Sequence, residues 1–225
     1  MKGKLIVIEG TDGSGKKTQT ALLTERLRNG GHKVKTISFP QYGKRSAKKV
    51  EDYLAGKFGP PGELDPYKVS PFYAEDRLGA APEIKKALEA GETVVLDRYI
   101  DSNVGHQGGK IADPTEREEF IKWLYDYEYK KLGIPKPDLT LILRVPYKIT
   151  LKLMEGRGGA KDGHEADKEH LRNAEAAYLW LAAKRPKDHR IIECVRGEEI
   201  LPPEDIHRMV YEAVNPLLTP SHKKD

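Results

Sequence analysis

Residues 4–20 read KLIVIEGTDGSGKKTQT, and this stretch limits the possible folds of the chain more than any other. The apolar run Leu5 to Ile8 has the character of a buried strand, and it passes directly into Gly-x-x-x-x-Gly-Lys, from Gly10 to Lys16. Strand, glycine-rich turn and helix start in immediate succession are the context of a phosphate-binding loop. Glycines let backbone N–H groups converge on phosphate oxygens, and a helix N-terminus adds positive potential. Lys16 then serves the outer phosphates as a point charge. Gly10, Thr11, Asp12, Gly13, Ser14, Gly15, Lys16, Lys17 and Thr18 are therefore the expected triphosphate-binding residues.

Four further apolar runs predict strands: Val34 to Ser38, Thr93 to Leu96, Leu139 to Leu143 and Arg190 to Glu193. Helical spacing lies between them. Thr18 to Asn29 carries Leu23 and Leu27 on one face and stops at Gly30-Gly31; Glu83 to Ala90 carries Ile84 and Leu88 and stops at Gly91. Thr115 to Leu132 follows Pro114 and stops at Gly133. Alternating helices and near-continuous apolar strands predict an α/β chain with a parallel sheet covered on both faces. Residues 155–167, EGRGGAKDGHEAD, form the one long polar, glycine-rich insertion, readable as a plain loop or as a lid over a phosphate site.

Composition narrows the partners. With 39 Lys and Arg against 35 Asp and Glu, the formal net charge is +4, too small a surplus to indicate nucleic-acid binding. The single cysteine, Cys194, cannot form an internal disulfide; its neighbours Ile191 and Ile192 predict a buried, inert thiol. No run approaches the length of about 18 apolar residues that a membrane span requires, and no signal-peptide pattern precedes the glycine loop. The expectation is a soluble, cytoplasmic protein.

The position after Lys16 normally carries Ser or Thr, whose hydroxyl holds magnesium; here it is Lys17. Magnesium keeps several waters in such sites, so the loss of one protein ligand is tolerable. Asp97 follows a buried strand and reaches the same crevice, which makes it the expected metal ligand, and Arg98 beside it offers bidentate contact to a phosphate.

GTDGSGK, FPQY, FYAEDR, DRYIDSNVGHQGGK and PDLTLILRVP stand in the order and spacing of the bacterial thymidylate kinases, which the chain resembles from about residue 4 to residue 215. The resemblance implies a P-loop kinase fold: a five-stranded parallel sheet, helices on both faces, a short lid near 155–167, a single domain over 1–215 and a polar tail over 216–225. It implies transfer of the γ-phosphoryl of ATP to dTMP with Mg2+, in a homodimer. Lys16, Asp97, Arg98 and the lid residue Arg157 are then the expected catalytic residues, with Lys161 assisting. Asp12, Phe39, Tyr42, Arg45, Phe72, Tyr73, Arg77, Arg98, Ser102 and Gln107 are the expected substrate contacts. Within that set, Asp12 matches the acid that accepts from the sugar 3′-hydroxyl, and Arg77 the arginine that reads the thymine edge. Tyr73 or Phe72 stacks on the base, while Ser102 and Gln107 line the base and sugar.

Three positions depart from the family pattern. Lys17 replaces the hydroxyl residue; Tyr42 stands where many members place an arginine, with Lys44 or Arg45 able to supply that charge; and Arg144 ends a strand where an acid is common. His106 replaces the usual aromatic before Gln107 and reads as a packing residue. A kinase for another nucleoside monophosphate, and an ATP-binding regulator without turnover, stay open at this level.

Overall fold

The computed structural model describes residues 2–155 and 168–218. Among them β1 (Leu5–Glu9), β2 (Val34–Ser38), β3 (Thr93–Asp97), β4 (Leu139–Arg144) and β5 (His189–Glu193) form one parallel sheet in the order β2-β3-β1-β4-β5. Each predicted strand is present within one residue of its expected bounds. A short antiparallel pair, β6 (Val195–Arg196) and β7 (Glu199–Ile200), follows the last of them.

The central strands are apolar without interruption because both faces are covered. Leu5 and Val7 of β1 enter one core with Val94, Leu96, Ile84 and Phe120, while Ile6 and Ile8 enter the other with Val95, Leu141, Leu23 and Val210. The covering helices are α1 (Lys16–Asn29), α2 (Lys48–Leu54), α3 (Pro66–Glu89), α4 (Asp101–His106), α5 (Pro114–Tyr125), α6 (Tyr147–Glu155), α7 (Lys168–Lys184) and α8 (Pro203–Leu218). The chain moves from β1 outward to β2 and β3, then crosses β1 to reach β4. That reversal puts a topological switch point at the carboxyl ends of β1 and β3, where ligands of open α/β sheets bind.

Three local expectations change. The helix expected from Glu83 begins at Pro66 and absorbs Pro71 and Pro82; Asp65 caps it by accepting from the Tyr67 N–H at 2.9 Å. Burial of Val69, Ala74, Ala81 and Ile84 along one side holds it together despite two missing donors. The helix expected to run on to Leu132 is α-helical only to Tyr125, after which Asp126–Lys131 form a π turn. Residues 216–218, expected in a polar tail, belong to α8, and Leu217 and Leu218 pack against the core; residues 219–225 lie outside the described residues. Among the described residues no helix is long and apolar enough to cross a membrane. Cys194 is fully buried, and burial pushes its thiol up to about 12, as an inert core cysteine requires.

Candidate active site

The phosphate loop is shaped by backbone before side chains enter. Gly10 has φ 143°, and a Cβ there would lie 2.6 Å from the Leu143 carbonyl oxygen of β4, so only glycine fits. Gly15, at φ 88°, turns the chain into α1, whose first-turn N–H groups face the loop. Lys16 folds back over this loop and donates to the Thr11 carbonyl at 2.7 Å. Its burial, with Arg98 nearby, pushes the ammonium down to about 8.

Arg98 follows β3 in a left-handed conformation, φ 65°, uncommon for a residue with a Cβ. Its own N–H donates to the Ile8 carbonyl at 3.0 Å and the next N–H, of Tyr99, to Glu9 Oε1 at 2.7 Å, so the surrounding strands impose the bend. The guanidinium is ion-paired to Asp12 and lies 3.4 Å from the Gly10 carbonyl oxygen and 3.2 Å from His106 Nε2. Burial alone would raise the Asp12 carboxyl, but Arg98 and Lys16 more than offset it and hold it well below the usual range.

Beside this pair is a cavity of about 260 Å³, lined in part by Asp12, Phe39, Tyr42, Tyr73, Arg98, Ser102, His106 and Gln107. The Phe39–Pro40 peptide that borders it is cis. Gln107 is fully buried; its Nε2 donates to the Tyr53 hydroxyl at 3.4 Å, and its Oε1 has no partner among the described residues. Loop 40–46 is fixed to α3 by Asp76, which accepts from the Gln41 N–H at 2.8 Å and from Ser46 at 2.8 Å.

On the other side of the loop, Lys17 shares a groove of about 430 Å³ with Thr20, Ser38 and Asp97. Asp97 Oδ1 is buried without a hydrogen-bond partner among the described residues, and desolvation pushes its carboxyl up. An anionic oxygen left unpaired beside Lys16 fits a cation with few protein ligands, as magnesium on a triphosphate is. The described residues hold no cluster of His, Cys, Asp and Glu able to bind a metal by themselves.

Several expected contacts lie elsewhere. Arg77 is buried and does not line the cavity, donating through Nε and Nη2 to Glu128 at 2.7 and 2.6 Å and through Nη1 to the Tyr99 carbonyl at 3.1 Å. These contacts anchor α3 to the π turn and occupy three of the five N–H groups of Arg77. Of the two aromatic candidates Tyr73 lines the cavity, whereas Phe72 packs on Phe58 and Tyr53. Arg45 is exposed in a short 3-10 turn and does not line the cavity, and Lys44 donates to Gln41 Oε1 at 2.6 Å. Arg144 pairs with Glu175 and Glu193, a local role. Ser102 lines the cavity, but its hydroxyl donates to Glu9 Oε2 at 2.8 Å. Arg157 and Lys161 lie outside the described residues.

Sequence reading overlooked Glu9, although an acid ending an apolar strand just before the glycine loop was visible. Glu9 is fully buried and accepts from the N–H groups of Tyr99 and Ser102 and from the hydroxyls of Ser102 and Tyr178. It thereby ties α4 and α7 to the end of β1. Burial, then the nearby Asp101 carboxylate, push it up to about 7. A carboxyl raised on folding stays protonated in the native state where the unfolded chain ionises. Stability therefore falls as pH rises from the ordinary 4.5 through about 7, by about 3 kcal/mol in all. We expect urea denaturation of Glu9→Gln, which stays neutral, to lack this decline between pH 5 and 8; an equal decline in both proteins would assign it to another group.

Comparison with known proteins agrees with this geometry. The family model described as thymidylate kinase matches residues 8–201. A thymidylate kinase of Mycobacterium tuberculosis is 32% identical over 186 residues, covering 80% of this chain and 86% of that protein. The Homo sapiens thymidylate kinase is 33% identical over 165 residues, covering 73% of this chain and 68% of that one. The solved structure of a Candida albicans thymidylate kinase superposes with a TM-score of 0.74 at 25% identity, covering 96% of this chain and 93% of that chain. A phosphate loop, an Asp-Arg pair at the switch point and an aromatic-lined cavity, joined to these matches, place the chain: it belongs to the thymidylate kinase family.

Proposed function

We propose that the chain transfers the γ-phosphoryl group of ATP to dTMP, giving dTDP and ADP. The observation that carries this reading is the position of Arg98. It pairs with Asp12 of the phosphate loop and lines the cavity that Phe39, Tyr73 and Gln107 also line, so donor and acceptor sites meet at one guanidinium. The residues of the Gly10–Thr18 loop, with Lys16, cradle the ATP phosphates, while Arg98 holds the acceptor phosphate. An oxygen of that phosphate bonds to the γ-phosphorus as the bond to the β–γ bridging oxygen breaks, and ADP carries the leaving charge. Positioning and charge neutralisation do most of the work.

For the nucleoside, Tyr73 supplies an aromatic face and Asp12 accepts from the 3′-hydroxyl. Gln107 Oε1, buried and unpaired among the described residues, suits the imide N–H of a pyrimidine such as thymine. Tyr42 borders the cavity; Arg45 would have to move to reach the acceptor. Asp97 is the residue we assign to Mg2+, which when bound neutralises charge on the ATP phosphates. Arg157, with Lys161, keeps the lid role that the family pattern implies. A single kinase domain ending with α8, a homodimer and a cytoplasmic location complete the reading.

ADP release with ATP and magnesium across dTMP, dUMP, dCMP and dGMP tests it. Broad substrate specificity is a property of the Candida albicans relative, so the panel is informative even within the family. We expect turnover mainly with dTMP. Preference for dCMP, whose base lacks that imide N–H, would overturn the role of Gln107, preference for any other monophosphate would overturn dTMP as the substrate, and tight ATP binding without any turnover would restore the regulator.

A further inference from the structure

His106 and His170 stand 64 residues apart in sequence, on α4 and in the first turn of α7, yet their rings meet edge to edge with centroids 5.3 Å apart and planes 20° apart. His106 Nδ1 lies 3.0 Å from His170 Nε2, and His106 Nε2 lies 3.2 Å from Arg98 Nη1. Arginine has only donors, so His106 Nε2 accepts from Arg98. Its proton is then on Nδ1, which donates to His170 Nε2, and the proton of His170 is on its own Nδ1. The hydrogen bonds run in one direction, from Arg98 through His106 to His170. The Tyr178 ring edge closes the far side of His106 at 6.2 Å.

We propose that His106 and His170 are a positioning pair that holds the Arg98 guanidinium oriented for the acceptor phosphate. His170 acts through tautomer choice: an acceptor at His106 Nδ1 keeps the proton off Nε2, the nitrogen that must receive Arg98. Without that acceptor, His106 can carry its proton on Nε2 and face Arg98 donor against donor. Asp12 holds Nη2 of Arg98, while Nη1 has its shortest contact with His106, so fixing that second nitrogen beforehand lowers the ordering cost of binding. The inference rests on the reading of Arg98 as the acceptor-phosphate contact.

Two substitutions separate the hydrogen bond from the ring contact. His170→Phe keeps a flat ring and loses the acceptor; His170→Gln keeps an acceptor and loses the ring. We expect His170→Phe to raise KM for dTMP by about 10-fold, the worth of one hydrogen bond to a charged group. KM for ATP should stay unchanged, kcat should change less than KM, and His170→Gln should remain close to the parent. Indistinguishable kinetics in all three proteins, or equal damage in both variants, would overturn the proposal. Arg98→Ala is measured alongside: if dTMP binding survives it, the reading of Arg98 is at fault, and if only His170→Phe is silent, the positioning pair is. Histidine ¹⁵N NMR of the parent protein is a check that needs no variant. Protonation of His106 at Nδ1 is expected, and a proton on Nε2 would refute the arrangement.

Discussion

Replacing Arg98 by alanine lowers kcat/KM for dTMP by about 10²- to 10³-fold, the usual loss when one preorganised donor to a reacting oxyanion is removed. The size follows from what the side chain does at once. It pairs with Asp12 and reaches the Gly10 carbonyl, Ser102 and His106 from a single planar fork. Without it, Asp12 keeps Lys16, at 4.0 Å, as a cationic neighbour. The Lys16 ammonium is then drawn toward that carboxylate and away from the position over the phosphate loop. We therefore expect KM for ATP to rise as well, by a smaller factor than KM for dTMP. Arg98→Lys should recover little, because one ammonium cannot serve partners spread around a guanidinium. Steady-state kinetics with each substrate varied in turn would decide; full activity in Arg98→Lys would mean that charge alone suffices.

The parts of the fold that could be read from the chain were those fixed by local pattern. The strands announce themselves because a sheet covered on both faces needs unbroken apolar runs, and the phosphate loop because only glycine fits at Gly10. The α3 helix was half hidden because only its Glu83 to Ala90 end shows clear helical spacing, while two interior prolines, Pro71 and Pro82, oppose a helix locally and tertiary burial of its inner side decides the outcome. Pairings between distant segments could not be read. Nothing near His106 points to His170, and nothing near Arg77 points to Glu128, since such partners meet only when the sheet order sets them together. Tyr73 and Phe72 are adjacent in sequence, and only the direction in which α3 faces the cavity separates them.

The same blindness explains Arg77, whose partner sits in the π turn after α5. Glu128→Gln is expected to destabilise the protein by about 3–5 kcal/mol, because it leaves a buried guanidinium without its counter-charge. The pair is almost fully enclosed, with side-chain exposures of 2% and 0%. Burial opposes the charge on Arg77, and the bidentate carboxylate more than offsets that and pushes the guanidinium further up. Exposed ion pairs such as Lys48–Asp52 carry no comparable penalty, since solvent screens them. Replacing both partners, Arg77→Met with Glu128→Leu, should restore most of the loss, since no uncompensated charge then remains. Urea denaturation of the two single variants and the double variant gives the coupling directly. Arg77 also carries two further N–H groups beyond the three that the structure engages. Reading of the base through those groups would show as a rise in dTMP KM in the refolded double variant. A stable double variant with parental KM for dTMP would establish Arg77 as an anchor of α3 and leave recognition of the base to Gln107.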